Sequence, residues 1–221
     1  MITIPQGVTL LSNTYLAPLM LEMAARTCTN SCHQIDECNE YKQQEFVKRV
    51  IMARKHYSVL EHVILTFRIV TSRAIANQIV RHRMAAYCQE SMRYVKLAGK
   101  GGGVPIIKPY KFNEWSEDAQ LTWKTTVNIA TTGYEELLAH GIKPEDARGV
   151  LPLDTATVLV ATWNLRELLH ILYHPVSGRL TNKHAQPQTR ELFQLLEDEL
   201  KEHSPFVYEL CQIYQKNENP T

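Results

Sequence analysis

Residues 62–94 read HVILTFRIVTSRAIANQIVRHRMAAYCQESMRY, and this stretch decides the fold. The β-branched and aromatic run from His62 to Thr71 is typical of a strand. Ser72 suits the N-cap of a helix that we expect to continue to about Tyr87. Ser91 to Leu97 favours an extended conformation. A strand, a helix and a second extended segment in succession predict a fold that mixes α and β elements.

The rest of the chain extends this mixed pattern in both directions. Apolar residues at helical spacing predict helices, and alternating or β-branched runs predict strands. The predicted strands cover 2–11 and 154–163, and the predicted helices cover 15–27, 40–56, 117–140, 164–174 and about 185–215, with a possible break at Pro205. Because no repeat, low-complexity tract or convincing linker interrupts the sequence, we expect a single domain over residues 1–221.

Composition excludes several classes of protein. The sequence has 24 Lys and Arg against 23 Asp and Glu, so no overall positive field favours nucleic acid or anionic lipid. No apolar run approaches the roughly 20 residues that cross a bilayer. The first residues, MITIP, lack the basic start and apolar core of a signal peptide. We therefore expect a cytoplasmic protein whose five cysteines are thiols.

Four potential zinc ligands fall close together in the sequence: Cys28, Cys32, His33 and Cys38. Their spacing does not match a Cys-x2-Cys knuckle, and no second pair follows at a useful distance. We therefore expect a thiol-containing loop and no metal. Cys88 is isolated and has no evident base in the sequence, so we interpret it as a small lining residue and not as a nucleophile.

Two features could bind phosphate, a glycine run and an arginine cluster. Lys100-Gly-Gly-Gly103 lacks the Lys-Ser/Thr that follows the glycines of a P-loop, so we expect only a hinge or loop there. Arg81-His82-Arg83 is followed after seven residues by Ser91 and then Arg93-Tyr94. Arginine binds phosphate in a planar, bidentate geometry, and unpaired buried charge is costly. The arginine cluster therefore predicts an anionic partner, most simply a phosphorylated small molecule.

The expected local geometry sharpens this site. On a helix that runs to Tyr87, Gln78, Arg81 and His82 would share one face. On an extended segment from Gln89, every second residue would share a face: Gln89, Ser91 and Arg93. Guanidiniums for phosphate, with an amide and a hydroxyl for base edges, suit a nucleotide. The alternative is an arginine-rich surface helix that pairs with distant carboxylates.

The arginine cluster, with Ser91 and Arg93-Tyr94, resembles the signature of the flavin-dependent thymidylate synthases. Other segments resemble further blocks of that family in the same order: His56 to His62, Ala147 to Leu153, Trp163 to Arg166, and His184 to Gln186. The resemblance covers roughly residues 15–210, and five motifs in register are far more specific than one.

The resemblance implies a fold, a reaction and an assembly. The fold would be an α+β domain with a central antiparallel sheet flanked by long helices. The enzyme would be a methyltransferase that moves a methylene group from methylenetetrahydrofolate to carbon 5 of dUMP and reduces it to methyl with FADH2, which NADPH regenerates. The family forms homotetramers with sites at subunit interfaces. It activates the pyrimidine by electrostatic polarisation instead of attack by a cysteine.

The same resemblance assigns roles to individual residues. The implied dUMP contacts are Gln78, Arg81, Gln89, Glu90, Ser91, Arg93, Arg148 and Arg179. Among these, Arg81 and Ser91 are expected to act in catalysis together with Arg179, which would favour the N3-deprotonated base. The implied flavin contacts are His56, Ser58 from a neighbouring subunit, Arg81, His82, Arg83, Met84, Gln89, Asn164, Arg166 and His170. Taken alone, Arg148, Asn164 and His170 would equally suit a helix cap, a turn and a structural histidine.

This chain departs from the family pattern at several positions. Gln89 stands where many members have Glu, Ala86 replaces a small polar residue, and Pro187 replaces a frequent Trp. The segment 173–183 is longer than the usual link, which leaves Lys183 as a weaker candidate than Arg179 for the activating cation. Two alternatives therefore stay open: an enzyme that forms another 5-substituent such as hydroxymethyl, and a catalytically silent nucleotide-binding homologue.

Overall fold

The computed structural model describes residues 1–97 and 102–219. Part of the predicted glycine hinge, Lys100 and Gly101, lies outside the described residues. The chain forms two compact units, of which the first contains residues 1–7, 69–81 and 88–159. The second contains residues 8–68, 82–87 and the chain from 160 onward. The single domain over 1–221 stays a prediction.

Strands and helices alternate irregularly along the chain. The strands are β1 (Ile2–Ile4), β2 (Gly7–Asn13), β3 (Ile64–Ser72), β4 (Ala85–Gln89), β5 (Pro105–Ile107) and β6 (Ala156–Asn164). The helices are α1 (Ala17–Thr27), α2 (Glu40–Phe46), α3 (Arg73–Ile79), α4 (Glu117–Ala139), α5 (Pro144–Ala147), α6 (Leu165–Tyr173), α7 (Pro187–His203) and α8 (Pro205–Glu218). A π-helical segment, Val47–Met52, continues α2, and a 3₁₀ segment, Tyr57–His62, leads into β3.

The larger sheet is antiparallel, in the order β2-β3-β6-β4. In the second unit, the hydroxyls of Thr66 and Thr162 lie 3.0 Å apart. In the first unit, the N–H of Arg73 donates to the carbonyl of Thr155 at 2.9 Å. Residue numbers therefore rise along β3 as they fall along β6, which defines antiparallel strands. The central antiparallel sheet and the mixed fold class are confirmed; a separate two-stranded sheet pairs β1 and β5 in parallel.

Each unit has its own hydrophobic core. In the first unit, α4 contributes Val127 and Tyr134 to a cluster with Leu97, Val104 and Ile106. In the second unit, the leucine-rich faces of α6 and α7 are buried: Leu165, Leu168, Leu169, Leu172, Leu192, Leu196 and Leu200. Burial of these apolar faces holds α6, which carries Arg166 and His170, in place.

The decisive stretch folds differently from its predicted pattern after Ser72. Ser72 does cap α3, because its hydroxyl accepts the N–H of Ile75. The helix then ends at Ile79 and not near Tyr87, and residues 85–89 form β4. The predicted extended segment from Ser91 to Leu97 is wrong, since it follows the strand and forms turns. β4 pairs with β6, and directly after it the Glu90 N–H donates to Val158 O at 2.9 Å. This pairing overrides the helical propensity of Ala85 and its neighbours.

The other predicted elements agree with the structure apart from small shifts. The predicted strand 2–11 is interrupted at Pro5 and Gln6, which separates β1 from β2. The last predicted helix breaks at Ser204, directly before Pro205. Proline removes a donor and disfavours helical backbone in the residue before it, so α8 begins as a new helix.

Candidate active site

In the second unit, β6 runs directly into α6 at Asn164. The Asn164 side chain caps the helix, because Oδ1 accepts the N–H of Glu167 at 2.8 Å. This junction opens a cleft of about 420 Å³, lined by Glu61, Met84, Asn164, Arg166, Glu167 and His170. Its volume is in the range of small-molecule sites. Arg166 and His170, which are four residues apart, both line it.

Two charged residues of this cleft, Arg166 and Glu61, form an exposed ion pair. Arg166 Nη1 donates to Glu61 Oε1 at 2.5 Å, and both side chains are about half exposed. An exposed ion pair of this kind contributes only about 0–1 kcal/mol. Arg166 can therefore exchange Glu61 for an anionic group of a ligand at little cost.

His82 lies next to the cleft residue Glu167, whose Oε1 is 3.8 Å from His82 Nδ1. Its side chain is 15% exposed, and the Tyr87 hydroxyl donates to its backbone carbonyl at 2.8 Å. Trp163 Nε1–H in turn donates to that hydroxyl at 3.0 Å, which fixes the chain at His82 to the fully buried Trp163. Burial lowers the pKa of His82 to about 4, with added repulsion from Arg179 and His170. His82 is therefore a neutral ring at neutral pH.

After Tyr173, the last residue of α6, the longer link of the sequence forms a loop with its own hydrogen bonds. His174 Nδ1 accepts from the N–H and hydroxyl of Ser177, at 3.2 and 2.9 Å. The Thr181 hydroxyl donates to the His174 carbonyl at 2.7 Å. Arg179 N–H donates to Ile171 O at 2.7 Å, which joins the loop to the last turn of α6.

This loop delivers the Arg179 side chain to His82. Arg179 Nη2 lies 3.2 Å from His82 Nε2, and its Nε is buried without a hydrogen-bond partner among the described residues. Burial lowers the pKa of the guanidinium from its ordinary value, although an arginine keeps its charge. Lys183, the other candidate cation of the loop, is exposed. Of the two, only Arg179 is held by the loop in a defined, half-buried position.

The first unit brings together a different set of predicted residues. Arg93 Nε donates to Glu145 Oε2 at 2.7 Å, and Arg148 Nε donates to the Glu145 carbonyl at 3.1 Å. The Ser91 hydroxyl accepts the N–H of Arg93 at 3.2 Å. Arg93 holds the pKa of Glu145 below its usual range. Two exposed guanidiniums around one carboxylate leave an excess positive charge, which suits a phosphate.

The segment before this group carries two more predicted residues, Gln89 at the end of β4 and Glu90 directly after it. Gln89 Nε2 donates to the Thr157 hydroxyl at 3.3 Å, and the Glu90 carbonyl accepts from Arg73 Nη2 at 2.8 Å. The prediction that Gln89, Ser91 and Arg93 share one strand face is wrong, because β4 ends at Gln89.

The prediction that Gln78, Arg81 and His82 share one helix face is also wrong. Gln78 is partly buried within α3, whereas Arg81, His82 and Arg83 follow the end of that helix. Arg81 and Arg83 are exposed, and so are His56 and Ser58 near the start of the 3₁₀ segment. Exposed side chains of this kind can serve a ligand or a neighbouring subunit, and their roles stay predictions.

Sequence reasoning missed three acidic residues. Glu61 lies within the quoted segment 56–62, and Glu167 follows Arg166 directly, so both had a positional signal. Glu145 had none, because only the fold brings it to Arg93. Burial raises the pKa of Glu167, and its carboxylate lies 3.8 Å from His82 Nδ1.

The cysteine-rich loop shows no metal centre in the part of the chain that the structure describes. Cys28, Cys32 and Cys38 are exposed free thiols, and no group of three potential ligands is arranged for an ion there. Cys88 is also an exposed thiol, and Cys211 is a buried one. Among the described residues, none of the helices is long and apolar enough to span a membrane.

Comparison with known proteins identifies the family. The family model described as thymidylate synthase complementing protein matches residues 9–206. The chain belongs to this family. It is 36% identical to a flavin-dependent thymidylate synthase from Geobacter sulfurreducens over 167 residues, which cover 74% of the chain and 70% of that relative. A flavin-dependent thymidylate synthase from Thermococcus onnurineus is 39% identical over 123 residues, 55% of the chain and 50% of that relative.

A solved structure supports the fold. A UMP/dUMP methylase PolB from Streptomyces cacaoi, bound with 5-Br dUMP, matches with a TM-score of 0.75 over 96% of this chain and 97% of that one. The sequence identity of 24% makes this a likeness of fold. The predicted family resemblance is confirmed. The predicted function, a methyltransferase of the flavin-dependent thymidylate synthase type, agrees with the names of the relatives, and those names support a flavin cofactor.

Proposed function

We propose that the protein is a flavin-dependent thymidylate synthase, which converts dUMP to dTMP with methylenetetrahydrofolate as the carbon donor. The observation that carries this proposal is the family match over residues 9–206, within which both arginine groups of the candidate site lie. The names of the relatives support the reaction and the flavin, and the similar solved structure, a UMP/dUMP methylase, supports dUMP. NADPH as the source of electrons and the folate donor rest on the family resemblance.

The residues of the second-unit cleft fit a flavin. The cleft contains a cation at Arg166 and hydrogen-bonding groups at Asn164 and His170. The exposed thioether of Met84 could pack on the planar ring of a flavin. His82 and Arg83, with Arg81, His56, Ser58 and Gln89, complete the proposed flavin contacts. When bound, the reduced flavin supplies the electrons that convert the transferred methylene to methyl.

The arginines of the first unit fit the phosphate of dUMP. Arg93 and Arg148 each present guanidinium N–H groups beside Glu145, and the Ser91 hydroxyl lies next to Arg93. A phosphate dianion would compete with the single carboxylate for Arg93, since charge-assisted bonds to phosphate are among the strongest that arginine forms. We assign the remaining dUMP contacts to Gln78, Arg81, Gln89 and Glu90.

Arg179 is our candidate for the group that activates the pyrimidine. Carbon 5 of uracil becomes nucleophilic when negative charge on the ring is stabilised, as in the N3-deprotonated form. A half-buried guanidinium is a strong source of such stabilisation, because the low local dielectric strengthens its field. This mechanism needs no enzyme thiol, and none of the cleft-lining residues is a cysteine.

Assembly and location follow from the same proposal. We infer a homotetramer in which Ser58 reaches the flavin of a neighbouring subunit. A cytoplasmic location is supported by the five cysteines, which are all free thiols in the structure.

Product analysis tests the proposed function. Purified protein is incubated with dUMP, methylenetetrahydrofolate, FAD and NADPH, and the nucleotide products are identified by mass spectrometry. We expect dTMP as the main product and a yellow protein with a flavin spectrum. Hydroxymethyl-dUMP as the main product would replace the proposal with a related pyrimidine-modifying reaction. A colourless protein that binds dUMP without FAD would be a silent nucleotide-binding homologue.

A further inference from the structure

The contact between Arg179 and His82 fixes the protonation state of the ring. A guanidinium has five N–H donors and no acceptor. With Arg179 Nη2 only 3.2 Å from His82 Nε2, the ring nitrogen must therefore carry the lone pair. Nε2 can accept only when the ring is neutral and its single proton lies on Nδ1. The geometry at this contact thus selects one of the three possible forms of His82.

Glu167 lies near the other nitrogen of the ring. Its Oε1 lies 3.8 Å from His82 Nδ1, and the two side chains are 15% and 14% exposed. A carboxylate at this distance lowers the energy of a proton on Nδ1, because opposite partial charges face each other in a poorly solvated site. Glu167 and Arg179 therefore favour the same tautomer from two sides.

Both members of the contact are held by other groups. Tyr87 and Trp163 fix the backbone at His82, and the loop bond from Arg179 N–H to Ile171 O fixes the other partner. A hydrogen bond between two fixed groups has little entropy to lose, so it orients the guanidinium, whose buried Nε–H has no partner among the described residues.

We propose that His82 is a positioning residue, whose neutral ring accepts from Arg179 and aims that guanidinium at the pyrimidine, with Glu167 selecting the required tautomer. This inference rests on the proposed function, in which Arg179 activates the base. It gives His82 a task that is separate from contact with the flavin.

The proposal also predicts how acid would affect the site. The charged and titratable groups that face His82 are Arg179, His170 and Glu167. Protonation of Nε2 would place an N–H against the N–H groups of Arg179, so the guanidinium would have to leave. Burial, Arg179 and His170 oppose that protonation and keep the contact intact at neutral pH.

Two substitutions of His82 separate the positioning role from a general need for the ring. In His82→Gln, the terminal amide lies near the position of Nε2 and can present its oxygen to Arg179. In His82→Asn, the shorter amide lies near the position of Nδ1, so Arg179 has no acceptor. We expect kcat for dTMP formation, measured at saturating FAD, to be roughly tenfold or more lower in His82→Asn than in His82→Gln, with similar KM for dUMP. Equal kcat values of the two variants at saturating FAD would overturn the inference.

A spectroscopic measurement tests the contact without any variant or turnover. Nitrogen NMR of the protein labelled with ¹⁵N-histidine should show His82 at pH 7 as a neutral ring with the proton on Nδ1. Glu167→Gln should increase the Nε2–H form, because its amide N–H can donate to Nδ1. An Nε2–H or doubly protonated ring in the unmodified protein would refute the inference even if dTMP is made. The Nδ1–H form without dTMP would instead refute the proposed function.

Discussion

The two arginine groups, one in each unit, differ in how firmly the protein holds them. Arg179 is half-buried, bonded to His82 and carried by a loop with its own hydrogen bonds. Arg93 is 58% exposed and pairs with Glu145, which is itself 32% exposed. A fixed cation can stabilise charge that develops during a reaction without reorganising, whereas an exposed one can change partner cheaply. The difference supports the proposal that Arg179 activates the pyrimidine and that Arg93 binds the phosphate.

Removal of Arg179 should produce the largest effect. Loss of one preorganised group that stabilises developing charge typically costs about 10²–10³ in kcat. We expect Arg179→Ala to lose this much in dTMP formation while the flavin spectrum is kept. Lys183→Ala is the matched control, because that side chain is an exposed cation of the same loop. A larger loss in Lys183→Ala than in Arg179→Ala would move the activating role to the lysine.

The second largest effect should come from a substitution of Gly178, in the loop that carries Arg179. A Cβ at Gly178 would lie 2.5 Å from the Thr181 hydroxyl and 2.6 Å from His174 N, so the loop would have to shift. We expect Gly178→Ala to lower kcat severalfold and to destabilise the fold by about 1–3 kcal/mol, the usual cost of overpacking.

Gly133→Ala is the control for this substitution. Gly133 lies within α4, and nothing would meet its Cβ within 4 Å. Alanine is the better helix former by about 1 kcal/mol, so this variant should be as stable as the parent or more stable in thermal unfolding. Normal kcat in Gly178→Ala would show that the loop does not set the position of Arg179.

Substitutions at the exposed Arg93–Glu145 pair should change the KM for dUMP more than kcat. Glu145→Gln removes the carboxylate that competes with a phosphate for Arg93, so KM for dUMP should fall a few fold with little change in kcat. Arg93→Ala should raise KM by roughly tenfold or more. Both shifts should shrink as salt is added, because exposed charges are screened. An unchanged KM in both variants would place the phosphate elsewhere.

The smallest expected effect is on stability in acid. His82 has an ordinary pKa of 6.5 and a pKa of about 4 in the folded protein, so the unfolded chain binds the extra proton between these values. The contribution of His82 is therefore complete above about pH 6.5 and decreases as the pH falls toward 4. The fall in melting temperature from pH 7 to pH 5 should be smaller in His82→Gln than in the parent, and an equal fall would indicate that His82 titrates normally.

The sequence predicted correctly those elements that depend mainly on residues close together in the chain. Ser72 as an N-cap, Pro205 as a helix breaker and the apolar periodicity of α4 are all properties of neighbouring residues. β4 was missed because its pairing partner, β6, lies about seventy residues away, and Ala85-Ala86 alone favour a helix.

Sequence motifs indicated individual residues of the candidate site. Contacts between residues that are distant in the sequence became visible only in the structure. The family resemblance supplied Asn164, Arg166 and His170 as implied flavin contacts within one short segment. The contact of Arg179 with His82 and that of Arg93 with Glu145 join residues 97 and 52 positions apart. No local pattern reveals such pairs, although the charge of each arginine indicated that it needs an anion or an acceptor.

A crystal structure of the complex with dUMP and FAD tests the central claim most directly. We predict that the Arg179 guanidinium contacts the uracil ring while it keeps its bond to His82 Nε2, and that the phosphate lies on Arg93 and Arg148. A pyrimidine bound without Arg179, or an Arg179 that has left His82 for solvent, would contradict the assignment of activation to a fixed, half-buried cation.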